Sequence, residues 1–117
     1  YRRSSGLEHA WASWDSATLA WEWTTEQVDS RGQSTSLTID ANDSLHVAYY
    51  DSSANALKYA LGTYDTGTGV WSWETQVVDD PVGGNVGEFT SIAVHESGSI
   101  YIAYYDVSNG DLKLAHN

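Results

Sequence analysis

The chain has 117 residues, a net charge of −11, no Cys and no Met, and 41% of its residues are hydrophobic. This hydrophobic fraction is not typical of a disordered tail, and so acidic a chain is predicted not to bind nucleic acid, whose phosphates carry the same sign of charge. The lack of Cys excludes disulfides and thiolate metal sites. No apolar run reaches the ~20 residues that a membrane-spanning helix requires, so we predict no membrane insertion.

Two stretches of the chain are nearly identical: Leu45–Asp51 (LHVAYYD) and Ile100–Asp106 (IYIAYYD), 55 positions apart. The N-terminal segment joins the same pattern at an offset of 50, since residues 7–10 (LEHA) align with residues 57–60 (LKYA). Extra residues at 81–87 (PVGGNVG) account for the difference between the offsets. The chain therefore contains two repeats of roughly 50 residues and begins partway through a unit.

Each unit is predicted to form four short strands separated by turn residues. In chain order we expect two strands of a first unit at 7–12 and 21–29, four strands of a complete unit at 36–40, 45–51, 56–61 and 71–79, and three strands of another unit at 91–95, 100–106 and 111–116. No window has the 3.6-residue apolar spacing of a helix, so the predicted fold class is all-β.

The strand Ile100–Asp106 has no polar face, because Ile102 and Tyr104 point to one side of it and Ala103 and Tyr105 to the other. With no helix to cover either side, other sheets must do so. We therefore predict two four-stranded antiparallel blades of the β-propeller type, opened mid-blade and completed by neighbouring copies. The predicted units are a partial blade over 1–34 (third and fourth strands), a complete blade over 35–89 and a partial blade over 90–117 (first three strands).

The order SLTID, LHVAYYD, ALKYA and WSWETQVVD resembles the blade repeats of secreted bacterial β-propeller proteins, over nearly the whole chain. The stretch at 63–71 (TYDTGTGVW) is also distantly similar to the Asp-box hairpin of sialidase-like propellers, with one extra residue before the Trp. The resemblance implies an extracellular bacterial protein. Sialidases bind their acidic substrate through clustered arginines and attack it with a tyrosine backed by a glutamate. This chain has only Arg2, Arg3 and Arg31, so we expect no catalytic residues, no enzymatic activity and no cofactor.

Eight aromatic residues of the repeated strands are predicted to pack between blades, since large aromatics usually serve cores first. They are Tyr49, Tyr50, Tyr104, Tyr105, Trp21, Trp23, Trp71 and Trp73. For the four Trp residues, the alternative is a stacking platform for sugar rings, as in small propeller lectins built from two-blade chains.

Trp14 and Tyr64 are the better candidates for binding sugar. They occupy matching positions before the fourth strand, beside Asp15 and Asp65 respectively. An aromatic face next to a carboxylate can bind a polyol, and packing of the surface hairpin is the alternative.

Two repeated pairs of opposite charge, Asp51 with Lys58 and Asp106 with Lys113, are each seven residues apart across a predicted hairpin. This spacing brings the two side chains near each other on adjacent strands. Because a catalytic Lys is usually single and desolvated, we interpret these as structural ion pairs.

The turn at Asp40, Asn42 and Asp43 carries oxygen ligands of the kind that calcium prefers. Its repeat equivalent lacks them, and no two of the four His residues have a metal-site spacing, so we predict no metal site. Asn42 also begins an Asn-Asp-Ser sequon and is a candidate glycosylation site on a surface turn.

Two blades do not close a propeller, which typically contains about 4–8. We therefore expect a homo-oligomer or tandem copies that form a ring or, if the rotation does not close, a filament. The chain lacks Met and begins inside a repeat, so we also expect it to be a piece of a longer protein. The predicted function is that of a non-enzymatic extracellular assembly module. The alternatives are a carbohydrate-binding propeller lectin and a fragment of a sialidase-like hydrolase.

Overall fold

The computed structural model describes residues 6–117, and this part of the chain folds into β-strands without any helix. The all-β prediction is therefore confirmed, and these residues contain no helix that could cross a membrane. The strands are β1 (Leu7–Asp15), β2 (Ala20–Asp29), β3 (Gln33–Ile39), β4 (Leu45–Asp51), β5 (Ala56–Asp65), β6 (Val70–Asp79), β7 (Val86–Val94), β8 (Ile100–Asp106) and β9 (Asp111–His116).

The strands form three antiparallel sheets, which we name by their position in the chain. The N-terminal sheet contains β1 and β2, the central sheet β3 to β6 and the C-terminal sheet β7 to β9. Neighbours in sequence are neighbours in each sheet, because short turns connect them. Several turns contain a residue in the left-handed region that such connections require, including Asp43 (φ 62°), Asn55 (φ 57°) and Gly110 (φ 72°).

The predicted unit boundaries at 34/35 and 89/90 fall inside β3 and β7, because both strands begin earlier than their sequence pattern suggests. In β7 the pairing with β8 is irregular between Val86 and Ser91, so the alternation of apolar and polar residues is interrupted there. Val86 is nevertheless fully buried, and its amide N–H donates to the carbonyl oxygen of Asn55 in the turn between β4 and β5 (3.0 Å). The residues around Val86 are therefore part of the core.

The core lies in two layers, one on each side of the central sheet. Val47 and Tyr49 of β4 belong to the layer shared with the N-terminal sheet, whereas Ala48 of the same strand belongs to the layer shared with the C-terminal sheet. Alternate residues of a strand point to opposite faces, so β4 is covered on both.

The stacked sheets give the described part of the chain a flattened shape, with extents of 54 × 43 × 22 Å. Its radius of gyration is 15.8 Å, compared with about 13 Å for a compact domain of this length. The larger value arises because three sheets lie in a row, packed through their faces, and only the central one has another sheet on each face.

Glycine permits close approach of the backbones at both junctions. A Cβ on Gly32 would lie 2.6 Å from Leu7 Cβ, and a Cβ on Gly87 would lie 2.8 Å from Leu57 Cα. Gly87 also has a φ of +106°, which side-chain-bearing residues rarely adopt. Each glycine therefore lets the first strand of a sheet contact a buried Leu of the preceding sheet.

We predict that Gly87→Ala lowers the free energy of unfolding by about 2–4 kcal/mol, because it adds a steric clash with backbone to an unfavourable φ. Urea denaturation measures the change. Gly83→Ala is the matched control, since Gly83 also has a positive φ (+70°) but nothing lies within 4 Å of its added Cβ. Equal losses for the two variants would contradict a role for Gly87 in sheet packing.

Candidate functional site

The same three-residue contact joins the sheets at both junctions. At the first, Asp29 at the end of β2 accepts a hydrogen bond from Tyr49 Oη (2.7 Å) and an ion-paired hydrogen bond from Lys58 Nζ. Lys58 Nζ also lies 5.6 Å from the centroid of the Tyr49 ring, within the range of a cation–π contact. We call this arrangement the Asp–Tyr–Lys contact.

The second junction repeats the arrangement with equivalent residues. Asp79 at the end of β6 accepts hydrogen bonds from Tyr104 Oη (2.6 Å) and Lys113 Nζ (2.5 Å). Lys113 Nζ again lies 5.6 Å from the centroid of the Tyr104 ring. In each case the last strand of one sheet supplies the carboxylate, and the next sheet supplies the hydroxyl and the ammonium.

These contacts change the acidity of their members. Burial by itself raises the pKa of Asp29, but the hydrogen bonds from Lys58 and Tyr49 outweigh it and lower the pKa to about 2. The same opposing effects leave the pKa of Asp79 below its ordinary value. Burial and the bond to Asp79 raise the pKa of Tyr104 to about 12. Both carboxylates are therefore ionised and the Tyr104 hydroxyl is protonated at neutral pH.

The predicted pair of Asp51 and Lys58 is present, but it is the weaker contact of that Lys. Lys58 Nζ lies 3.7 Å from Asp51 Oδ2 and closer to Asp29. Asp51 Oδ1 accepts hydrogen bonds from the N–H and hydroxyl of Ser53 (2.9 and 2.7 Å), so this carboxylate mainly caps its own turn.

In the second copy, Lys113 Nζ lies 4.0 Å from Asp106 Oδ2, again farther than from Asp79. Sequence spacing located the pair within the hairpin and missed the partner on the preceding sheet. The signal for that partner was present in the repeat alignment, in which Asp29 and Asp79 are equivalent.

Trp71 and Trp73 of β6 contact the N-terminal sheet. The ring centroid of His9 lies 4.8 Å from that of Trp71 and 5.1 Å from that of Trp73. Trp73 Nε1 donates to Glu26 Oε1 (2.8 Å), which also lies 3.1 Å from His9 Nδ1. In the first junction this Trp pair therefore lies between sheets.

The equivalent pair on β2 lies in a different environment. Trp21 and Trp23 are 60% and 70% exposed. The ring of Trp21 contacts that of Trp14 on the same hairpin, with centroids 5.4 Å apart. Packing of Trp21 and Trp23 between sheets stays a prediction.

The predicted sugar-binding residues lie at the ends of two hairpins. Trp14 and Tyr64 are about half exposed, and Tyr64 contacts Trp71 with centroids 5.2 Å apart. Asp15 Oδ1 accepts a hydrogen bond from the N–H of Ala17 (2.8 Å), and Asp65 makes the same bond within its own turn. These turn bonds lower the pKa of both carboxyls.

The four Tyr residues of the repeated strands are not equally buried. Tyr49 and Tyr104 are covered and form the Asp–Tyr–Lys contacts. Tyr50 is buried and donates to Asn55 Oδ1 (2.9 Å), whereas its repeat equivalent Tyr105 is 36% exposed. The difference arises because the C-terminal sheet covers Tyr50.

The outer face of the C-terminal sheet, which we define by Tyr101, Tyr105, Leu112 and Leu114, is exposed. Its repeat-equivalent residues on the central sheet are all buried. Leu112 is 80% exposed while its equivalent, Leu57, is completely buried. The same sequence element is thus a buried interface at one position and an open apolar surface at the next.

A buried polar cluster that the sequence analysis missed connects β4 with β5. His46 Nδ1 lies 2.7 Å from Tyr59 Oη, and His46 Nε2 lies 3.1 Å from Asp40 Oδ2. Burial, followed by the negative charge of Asp40, raises the pKa of Tyr59, so its hydroxyl is protonated at neutral pH. The only sequence signal was a His on an apolar strand soon after an Asp-rich turn.

The turn with Asn42 does not resemble a metal site. Asp40 Oδ1 accepts from the N–H groups of Asn42 (2.8 Å) and Ser44 (2.9 Å), so its oxygens already bind the turn. Within the described residues, no three His, Asp or Glu side chains lie close enough to hold a metal ion. Asn42 is exposed, and its glycosylation stays a prediction. Arg2 and Arg3 lie outside the described residues.

Comparisons with known proteins found no match to this chain among family models, curated proteins or solved structures. Its functional interpretation therefore depends on the geometry of its own residues.

We predict that Asp29→Asn lowers the free energy of unfolding at pH 7 by about 1–3 kcal/mol, because Lys58 and Tyr49 lose a charged acceptor. The folded-state pKa of Asp29 (about 2) lies below its ordinary value of 3.8. The stabilisation is therefore complete above that value and is lost as the pH falls towards 2.

Urea denaturation over this pH range should show the difference between wild type and Asp29→Asn shrinking as the pH falls. Asp43→Asn is the matched control, since Asp43 is exposed on a turn and Asn also tolerates its positive φ (62°). A difference that does not change with pH would contradict the ion-paired role of Asp29.

Proposed function

We propose that the chain is a non-enzymatic structural module whose sheets are β-propeller-type blades, and that it associates with further copies into a ring or filament. One observation carries this proposal. Leu57 and Tyr50 are buried under the C-terminal sheet, whereas the equivalent Leu112 and Tyr105 remain exposed on the next sheet. A surface that one repeat covers at one junction is suited to be covered by another repeat at the next.

The direction of packing supports a head-to-tail association. At both junctions within the chain, the face that is the repeat equivalent of the outer face is buried. It packs against the opposite face of the sheet that follows it. Each end of the described chain therefore presents a different surface: Trp21 and Trp23 at one end, and the outer face with Leu112 at the other. Heterologous contacts of this kind generate rings when the rotation closes and filaments when it does not.

The strand content of the sheets supports the same proposal. The central sheet has four strands, whereas within residues 6–117 the N-terminal sheet has two and the C-terminal sheet three. Incomplete sheets leave backbone N–H and C=O groups unpaired at their edges, and such edges pair readily with strands from other chains.

Energetic magnitudes indicate that the outer face does not act alone. Burying a large apolar side chain stabilises by about 1.5–3 kcal/mol, so Leu112 and Leu114 together contribute roughly 3–6 kcal/mol. Association costs about 4–15 kcal/mol in lost motional freedom. Further contacts, such as the Trp pair of β2, are therefore needed for a stable assembly.

The absence of catalysis is supported by the chemistry of the clusters. The Asp–Tyr–Lys contact occurs twice, as expected of a scaffold element. The cluster that occurs once, around His46, holds a buried Tyr59 whose pKa is raised, which disfavours a nucleophilic role. We also propose an extracellular location in a bacterium, because the sequence resembles secreted bacterial repeats.

We predict that the purified chain forms species larger than a monomer in sedimentation velocity. Association should strengthen with added salt, since screening reduces the repulsion between copies with a net charge of −11. Leu112→Glu should abolish it by placing a charge in the apolar contact.

Val82→Glu is the matched control, because Val82 is fully exposed on the β6–β7 loop and carries the same change. A compact monomer at every salt and protein concentration would overturn the proposed function.

Sugar binding is a second candidate function. The observation that favours it is the half-exposure of Trp14 and Tyr64 at the ends of two hairpins, each beside a turn carboxylate. Exposed aromatic faces can stack on sugar rings.

We predict that, if the chain is a lectin, glycan-array binding falls at least tenfold in Trp14→Ala, as expected for loss of an aromatic anchor worth about 1.4 kcal/mol or more. Leu19→Ala on the same hairpin is the control, because Leu19 is exposed and not aromatic. Binding that survives the Trp14 change, or binding to no glycan at all, would exclude this site.

A further inference from the structure

A cleft of about 120 Å³ lies between the central and C-terminal sheets, beside β9. We call it the β9 cleft. One wall comes from the central sheet and the other from β8 and β9, and its lining is mainly apolar. The residues used below are Tyr59, Gln76, Val78, Ile100, Ile102 and Ala115.

At the equivalent position of the first junction, two indoles contact the preceding sheet. The central-sheet wall of the β9 cleft has repeat equivalents on the N-terminal sheet, namely His9, Glu26 and Val28. Trp71 and Trp73 of β6 contact His9, and Trp73 also contacts Glu26 and the cluster that includes Val28. The first junction is thus a template for the occupant of the β9 cleft.

The C-terminal sheet has no strand after β9 in the described chain, and so no counterpart of β6 fills the cleft. Trp73 lies opposite Gly62 in the central sheet, and the position equivalent to Gly62 is Asn117, which lines the β9 cleft. An indole placed as in the template would therefore enter this cavity.

An exposed pair of the required kind is present at the other end of the chain. Trp21 and Trp23 of β2 have the same spacing as the β6 pair and the same register, since Trp21 lies opposite Trp14 as Trp71 lies opposite Tyr64. They are largely exposed in their own chain.

We infer that the β9 cleft binds Trp21 and Trp23 of a second copy of this chain, whose β2 pairs with β9 in place of its own β1, the repeat equivalent of β9. This inference rests on the proposed function and names the contact through which copies join.

A difference between the two sites favours Trp23 at the copy junction. In the template, Trp73 Nε1 donates to the carboxylate of Glu26 (2.8 Å). The equivalent residue in the β9 cleft is Gln76, whose amide oxygen accepts the same hydrogen bond without a charge. Between copies that each carry −11, a neutral acceptor avoids burying a further carboxylate.

The first arm of the test measures self-association by sedimentation velocity at high salt. Trp23→Ala should weaken association roughly 10- to 100-fold, as expected for a buried Trp anchor. Gln76→Trp should do the same, because Gln76 is exposed and an indole there fills the cleft from within the chain. The double variant should associate no more weakly than either single variant, because both substitutions remove the same contact. Leu19→Ala is the control and should leave association unchanged.

The second arm uses a peptide with the sequence of β2, AWEWTTEQVD, added to the whole chain and followed by amide chemical shifts. The expected result is a set of shift changes centred on Ala115 and Asn117 that is lost in Gln76→Trp and with the peptide in which Trp23 is replaced by Ala.

The two arms separate the two hypotheses. Self-association that is untouched by Trp23→Ala and Gln76→Trp overturns this inference and leaves the proposed function standing. A monomeric wild type overturns both the proposed function and this inference, even where the peptide binds in the β9 cleft. Peptide binding at another place on the chain, or no peptide binding at all, overturns the inference.

Discussion

The whole structure depends on one constraint, which is that strands with two apolar faces need a sheet on each side. In β4, Val47 and Ala48 are adjacent in sequence and buried in different layers. A two-layer sandwich cannot satisfy such a strand, because it covers only one face of each sheet. The central sheet therefore has another sheet on each side, and its inner strands β4 and β5 are the buried ones. The flanking sheets share its sequence pattern but have a neighbour within the chain on one face only.

Polar contacts give this stacking its direction and register. The Asp–Tyr–Lys contact takes its carboxylate from the end of one sheet and its two donors from the next, so it forms only in head-to-tail order. Partly buried ion pairs add little net stability when compared with apolar packing, but a mismatched charge is costly. The N-terminal sheet has Glu8 at the position of Lys58 and Lys113. It therefore lacks the ammonium donor of the Asp–Tyr–Lys contact.

Aromatic residues follow the same logic of covered and uncovered faces. Trp73 lies between sheets with its indole nitrogen bonded to Glu26, whereas the equivalent Trp23 is largely exposed. Tyr50 and Tyr105 differ in the same way. Similar local sequence therefore gives a core residue or a surface residue, depending on whether another sheet packs against that face. Where these positions are covered, as at Trp73 and Tyr50, they form part of the contact between two sheets.

The sequence by itself determined the strand order, the all-β class and the equivalence of the repeats, because alternation and turn residues are local properties that survive in any assembly. It also indicated that Asp51 lies near Lys58, since a short hairpin fixes neighbours across two strands. Only the tertiary structure decided that Asp29 is the closer partner of Lys58, that Val86 belongs to the core and that His46 bridges Asp40 and Tyr59. Contacts of these kinds depend on how sheets stack and where strands bulge, and neither has a periodic signal in the chain.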